Sequence, residues 1–511
     1  MKHLISFNTS IVNQEQASEW GVDRVLILGG NLSADLSNLP QENQLVFFVP
    51  TTHDYSNSLS YGGANLGLRI LMKYIGTGRT DIDVVLMGNE SEANFLLHYD
   101  YPNILKIPGM HYIRFNKKYV VSYNVPPRDQ LHADEYKLYL HNLGLQIPSS
   151  FKSTHSLTNE WCLFKWNSFM GFNEDLSSLE GHIYFDYLIT IEKLNKRAYK
   201  PITDHLKERI SNFSTARILL IDDKEGWHTF FKKMFANAEN VDVRCIGKDF
   251  NKLDFTNLKS SIENEINDFN PNIIILDYRL MEDADAEVKD NMKLISGYQV
   301  LSKVLKGNYK NPLDSFGRQV IIFTATSRIE NILFLREGYA DGFILKEKPQ
   351  NYSGKEITKN VISKMMSLLE KSLSRAEFLI PLNERLDEIL KVKGLKSDLI
   401  AKIDTVFQSV RQITQNNNLD EDILKLVFLN LFSILEFIKP SNIKSINDFV
   451  QKFAQNDMSP DWNNINNMRN SLAHGDNEVW IGRKKENIST ELMQEWSIRL
   501  CHFIVKILRK M

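Results

Sequence analysis

The sequence predicts a multidomain fold of α/β plus α class, with a doubly wound parallel sheet at the centre of the chain. Three observations predict it. Short apolar runs alternate with amphipathic helical stretches through residues 1 to about 350, the pattern of strands and crossover helices in a parallel sheet. Four central runs, ARILLIDD, NIIILDYRL, QVIIFTATS and DGFILKEKP, end on side chains able to do chemistry. From residue 356 to the end, apolar residues keep helical spacing with little strand signal.

At 511 residues the chain exceeds one ordinary core, and about three domains are expected. Residues 1–150 read as an α/β domain: VLILGG, LVFFVP and DVVLMG are strand-like, LGLRILMKYI helical. Residues 151–213 read as a connecting helical linker, packed by Trp161, Phe164 and Trp166 and broken near Pro201. Residues 214–372 form the central α/β domain, closed by a helix over 356–373. Residues 373–511, with DILKLVFLNLFSILEFI and ELMQEWSIRLCHFIVKILRKM, read as an all-α bundle.

Apolar content of 43% and charged content of 24% are those of a globular chain. A net charge of −2 argues against nucleic-acid binding by bulk charge and against an acidic disordered chain. Cys162, Cys245 and Cys501 are odd in number and far apart, without zinc-like spacing, so free thiols in a reducing compartment are expected. MKHLISFNTS lacks the apolar core of a secretory signal, and no window holds about 18 uninterrupted apolar residues. The expectation is a cytoplasmic protein without a membrane partner.

In a parallel sheet all strands point one way, so the four run ends share one edge, where ligands bind at the reversal of strand order. That edge collects Asp222, Asp223, Asp277, Thr324 and Lys346. Three close carboxylates resist ionising together unless a cation joins them. Mg²⁺, a hard octahedral ion that favours carboxylates, waters and phosphate oxygens, suits the set. Asp277 is then placed as a nucleophile towards phosphorus, with Thr324 bonding a phosphoryl oxygen and Lys346 neutralising another. Taken alone, the DD pair reads equally as a helix N-cap with a first-turn acid.

The order DD, then D, then TA, then K at successive strand ends resembles the receiver domain of two-component response regulators, a flavodoxin-like (CheY-like) fold. The resemblance covers residues 214–372. It implies that Asp277 is the phosphoacceptor, and that Asp222, Asp223, Asp277 and the backbone carbonyl of Arg279 hold Mg²⁺. It also implies that Thr324 and Lys346 sense the phosphate and that Phe343 is the aromatic switch residue. Two features depart from the family pattern. The loop between Asp277 and Gly297 is long and acidic, and Lys346 is followed by Glu347-Lys348-Pro349 where the family has proline at once. Lys348 is a rival for the role of Lys346.

The first 150 residues can be laid over the receiver as a degenerate copy. DRVLILGG then falls on ARILLIDD, LVFFVP on IIILDY, DVVLMGNES on QVIIFTATS and NILK on FILK. Gly29-Gly30 replace the acidic pair, Val49 the acceptor and Gly88 the threonine, and only Lys106 survives. The glycines of YGGANLG lack the lysine and Ser/Thr of a Walker loop and read as turn and packing glycines.

NNMRNSLAHGD (466–476) resembles the R-N-x-x-x-H motif of HEPN domains, small helical bundles. In catalytic members the pair cleaves RNA, usually across a dimer. The resemblance implies Arg469 on the phosphate and His474 moving the ribose proton. Asn470 and Gly475 suggest a helix end or turn, and Arg483, Lys484 and Lys485 lie near enough to follow an RNA backbone. No helix-turn-helix is evident. The expected function is a response regulator phosphorylated on Asp277 by a histidine kinase, a phosphotransfer protein or a small phosphodonor. Phosphorylation would switch assembly, including a homodimer through the C-terminal domain. A phosphorylation-controlled ribonuclease effector acting on RNA in stress or anti-phage defence, and a phosphate sink for a kinase, are the alternatives.

Overall fold

The computed structural model describes residues 1–6, 14–20, 22–27, 45–51, 62–115, 120, 123–124, 133–145, 154–172, 183–194, 204–288, 291–305, 317–325, 335, 340–347, 355–416, 418–453 and 459–511. The chain divides into two compact units, residues 1–202 with 347–359 and residues 203–346 with 360–511.

The first unit carries β1 (Lys2–Ser6), α1 (Gln14–Glu19), β2 (Arg24–Ile27), β3 (Leu45–Pro50), α2 (Gly62–Gly76), β4 (Ile82–Gly88), α3 (Glu92–His98), β5 (Met110–Arg114), α4 (Ala133–His141), α5 (Thr154–Met170) and α6 (Ile183–Leu194). Its strands pair in the order β2-β1-β3-β4-β5, all parallel. Central strands of such a sheet are covered on both faces, which is why β3 and β4 read as nearly continuous apolar runs. Leu45, Phe47, Val49, Val84 and Leu86 line one face, Val46, Phe48, Val85 and Met87 the other. Each fully buried side chain of this size contributes about 1.5–3 kcal/mol.

Gly67, within α2, serves packing. Gly62 and Gly63 open the helix, and a Cβ on Gly67 would stand 2.6 Å from Leu86 Cδ2. Residues expected to connect domains belong to this core instead. Leu157 and Trp161 from α5, and Tyr184, Leu188 and Ile191 from α6, join β3 and β4 in one cluster. The spacing of the last three puts them on one helical face. Pro201 lies outside the described residues.

The second unit carries α7 (Asp204–Ser211), β6 (Ala216–Ile221), α8 (Glu225–Met234), β7 (Val241–Ile246), α9 (Phe255–Phe269), β8 (Ile273–Asp277), α10 (Glu282–Glu287), α11 (Ser296–Val300), β9 (Gln319–Thr324) and β10 (Gly342–Leu345). The strands pair in the order β7-β6-β8-β9-β10, again all parallel. Strand order reverses at β6 and β8, so a crevice opens at their C-terminal ends.

The remainder is α12 (Lys355–Leu390), α13 (Ser397–Asn416), α14 (Glu421–Ile438), α15 (Ile446–Phe453), α16 (Ser459–His474), β11 (Glu478–Ile481), β12 (Lys484–Asn487) and α17 (Thr490–Lys510). Helices α12 to α17 enclose one apolar core. The bundle is not all-α: β11 and β12 form an antiparallel hairpin. Gly482, at φ +60°, allows its tight turn. Strands of four residues with only Val479 buried leave almost no apolar signal to read. Helix α12 does not stop near residue 373: Phe378, Leu382 and Leu386 from its second half sit in the bundle core.

Candidate functional site

Ile221 pairs with Leu276, so the next residues along β6 and β8, Asp222 and Asp277, come side by side. Both are fully buried and Asp223 is nearly so. Carboxylate oxygens of the three lie within 4.8 Å of one another, a set that could hold a metal ion. Lys346, one residue past β10, completes the group. Its Nζ is 3.1 Å from Asp222 Oδ2 and 3.5 Å from Asp277 Oδ2. Its backbone N–H donates to the carbonyl of Thr324 at 2.8 Å. Thr324 ends β9 and is buried. The structure therefore brings Asp222, Asp223, Asp277, Thr324 and Lys346 to one sheet edge.

Several neighbours fix the acids. Asp222 donates its N–H to Ile246 O at 3.1 Å, and its own carbonyl lies 2.7 Å from His228 Nε2. A proton on that nitrogen joins the two, since a carbonyl only accepts. Gly247, at φ +129°, passes so close that a Cβ would stand 2.2 Å from Asp222 O. Asp222 Oδ1 also accepts the Lys224 N–H at 2.9 Å. The N-cap reading is not realised: Lys224 is the N-cap of α8, without a side-chain cap bond, and the first-turn acid is Glu225. Asp223 accepts from Asn251 Nδ2 at 3.3 Å and faces Lys224 Nζ at 3.5 Å. Asp277 Oδ1 accepts the Tyr278 N–H at 2.8 Å. Gly297 presses on the same turn, where a Cβ would meet the carbonyls of Asp277 and Tyr278 at 2.4 Å.

Burial pushes the Asp277 carboxyl well above the usual carboxylate range; Lys346 opposes this, while Asp222 and Asp223 add to it. For Lys346, burial favours the neutral amine, but the carboxylates of Asp222 and Asp277 outweigh it and hold the ammonium charged. The three acids face Lys346 and Lys224, and a hard divalent cation would relieve the repulsion among the carboxylates.

The long acidic loop after Asp277 is pinned at its base. Gly297 N–H bonds Tyr278 O at 3.1 Å, and Leu280 N–H bonds Ser296 Oγ at 2.8 Å. Buried Asp285 accepts from Ser296 N–H at 2.7 Å and Ser296 O–H at 2.6 Å. Burial raises the Asp285 carboxyl, and the Ser296 bonds partly offset this. Its extra residues thus close on themselves instead of displacing Asp277. Arg279 lies in this loop, half-buried, two residues past Asp277. Glu347, directly after Lys346, is anchored within the first unit. Its carboxylate accepts from Trp166 Nε1 at 2.9 Å and Thr358 Oγ1 at 3.0 Å, and its N–H lies 3.2 Å from Cys162 Sγ. Lys348 lies outside the described residues. Phe343 is half-buried on β10 against the face carrying Leu276 and Ile322.

Among the described residues, the corresponding edge of the first sheet shows no such cluster of acids around a lysine, and its alignment differs from expectation. DRVLI is β2; the strand in the place of β6 is β1, at the N-terminus. Gly29 and Gly30 lie outside the described residues. Pro50 pairs with Met87 as Asp277 pairs with Phe323, so Pro50, not Val49, stands in the acceptor position. Val49 points into the core. Gly88 does occupy the position of Thr324. Phe115 N–H bonds Gly88 O at 2.7 Å as Lys346 N–H bonds Thr324 O, so Phe115 replaces the lysine. Lys106 sits on an exposed turn before β5.

In the bundle, Arg469 and His474 both lie on α16. Five residues of α-helix turn them about 140° apart. The Arg469 guanidinium lies 5.7 Å over the Phe432 ring and bonds Asn470 Oδ1 at 3.1 Å. His474 is exposed at the helix end, and Gly475, at φ +75°, terminates the helix. Asn470 lies inside the helix.

Sequence reasoning missed His228, Asn251, Trp227 and Phe323. Trp227 and Phe323 flank the lysine, at 5.2 Å and 4.4 Å from Nζ to the ring centroids. Their positions beside the DD pair and before Thr324 were the available signal. No helix among the described residues is long and apolar enough to cross a membrane. No protein-family model and no curated protein matches the sequence.

Proposed function

We propose that the chain is a response regulator of a two-component phosphorelay, with residues 214–372 as its receiver and Asp277 as phosphoacceptor. One observation carries this reading: the Lys346 ammonium meets Asp222 and Asp277 where β6, β8, β9 and β10 end. The strand order supports it, being that of flavodoxin-like receivers.

An Asp277 oxygen attacks the donor phosphorus. The P–N bond of a kinase phosphohistidine breaks and the imidazole leaves with a proton; with a small acyl phosphate, the P–O bond breaks and carboxylate leaves. Mg²⁺ on Asp222, Asp223, Asp277 and the Arg279 carbonyl supplies charge neutralisation for the transferring phosphoryl group. Lys346 and Thr324 bond the phosphoryl oxygens of the acyl phosphate. About two added negative charges bias the β9–β10 edge, including Phe343, towards a second arrangement. The helical bundle reads this as altered assembly with itself or a partner protein.

Labelling with phosphorylated kinase or acetyl phosphate tests the proposal. Wild type in Mg²⁺ is expected to take up one acid-stable, base-labile phosphoryl group, lost in Asp277→Asn and on chelation. An unlabelled wild type would overturn the reading. Incubating both forms with RNA separates an assembly output from a ribonuclease output, which requires cleavage abolished by His474→Ala.

A further inference from the structure

We infer that Trp227, with Phe323, is a positioning residue for Lys346: the two rings form an aromatic cradle that holds the ammonium on the carboxylates of Asp222 and Asp277. The inference rests on the reading of Asp277 as phosphoacceptor and adds the residues that aim its cation.

The Lys346 side chain is wholly buried. A lysine head group is compact and strongly hydrated, on a stem with four rotatable bonds, so burial demands replacement partners on every side. Asp222 Oδ2 accepts one of its N–H donors at 3.1 Å, and Asp277 Oδ2 faces the ammonium at 3.5 Å. The ammonium also lies over Phe323 at 4.4 Å and Trp227 at 5.2 Å. Ring faces carry negative quadrupole charge, and desolvated cation–π contacts are the stronger ones.

The cradle is itself rigid. Trp227 and Phe323 pack edge to face at 4.6 Å, and Phe231 closes on Phe323 at 5.8 Å. Both cradle residues adjoin reacting groups. Trp227 stands in the first turn of α8, directly after the acidic pair, and Phe323 immediately precedes Thr324. Phe323 and Thr324 face opposite sides of β9, so one strand end presents the hydroxyl and steadies the lysine. An aliphatic side chain at 227 would leave part of the space empty and offer no charge-attracting face.

The test uses Trp227→Phe, which keeps a ring, and Trp227→Leu, which removes it. In acetyl phosphate and Mg²⁺, at a temperature where both variants stay folded, Trp227→Phe is expected to label within about 3-fold of wild type and Trp227→Leu about 10-fold more slowly. A metal-free readout is independent of phosphotransfer. Subtracting the emission of Trp227→Phe from wild type isolates Trp227 among the seven tryptophans. Lys346→Met is expected to change that difference spectrum, while Lys346→Arg, which keeps a cation over the ring, preserves it. Wild-type labelling by Trp227→Leu, or a spectrum indifferent to Lys346→Met, overturns the cradle and leaves the phosphoacceptor reading intact. Failure of wild type to label sinks that reading instead, and the metal-free spectrum then decides the cradle alone.

Discussion

The two parallel sheets of this chain share a strand order, yet among the described residues only the second gathers three carboxylates at its C-terminal edge. In the second sheet that edge holds Asp277, Thr324 and Lys346; at matching positions the first holds Pro50, Gly88 and Phe115. Strand interiors in both are buried aliphatic and aromatic residues, interchangeable in kind. The architecture therefore depends on the interiors, and chemistry on the few residues just past them. Proline and phenylalanine side chains can neither bind a divalent cation nor accept a phosphoryl group, so Pro50 and Phe115 cannot do at those positions the chemistry open to Asp277 and Lys346.

The sharpest way to break this comparison is to truncate the residue at the lysine position of each edge in turn. Lys346→Ala leaves buried Asp222 and Asp277 facing each other and is expected to cost about 3–5 kcal/mol in metal-free buffer. Phe115→Ala, at a partly exposed site, is expected to cost under about 1 kcal/mol. Urea melts of both variants check this, and equal losses would erase the distinction. Close backbone packing gives a smaller contrast. Gly297→Ala forces a methyl onto two carbonyls, while Gly67→Ala meets the end of a leucine side chain that can move. Expected losses are about 3 and about 1 kcal/mol, and Gly297→Ala should also slow labelling because Asp277 shifts.

The smallest contrast is in pH dependence. Burial raises the folded-state value of Asp277 above its unfolded value, so the folded protein holds that proton more tightly. This contribution is full below the unfolded value, near pH 4, and is lost as pH rises through the folded value. Metal-free wild type should thus lose more stability with rising pH than Asp277→Asn does, and Mg²⁺ should flatten the slope. Parallel slopes for the two proteins would show that Asp277 does not carry it.

Legibility in the sequence followed burial. Strands covered on both faces announce themselves as apolar runs, so IIILD and QVIIFT could be placed with their ends. β1 could not: KHLIS has a lysine and a histidine, and the more strand-like RVLI took its place, shifting the overlay by one strand. His3 is nonetheless buried, stacked on Phe47 at 5.5 Å. At the site, the charged residues were visible because carboxylates at strand ends are conspicuous. The residues that aim them, His228, Trp227 and Phe323, look like ordinary core material. Their role depends on distances across the fold that no local pattern encodes. The hairpin at 478–487 and the core role of α6 were hidden for the same reason, one being too polar and the other too far from its partners in sequence.

Gly317, two residues before β9, lies against the backbone of α12, where an added Cβ would stand 2.3 Å from Ile380 N. Gln319 Oε1 accepts from Arg375 Nε at 3.1 Å, and Gly342 at the start of β10 abuts Leu368. One rod thus braces the feet of the two strands whose tips carry Thr324 and Lys346, then runs on into the bundle core. A cut at residue 372 would sever that rod halfway, strip the prop from Gly317 and bare Phe378, Leu382 and Leu386 to water. The sheet and the bundle are therefore not separable pieces, and each half freed by such a cut would be expected to aggregate.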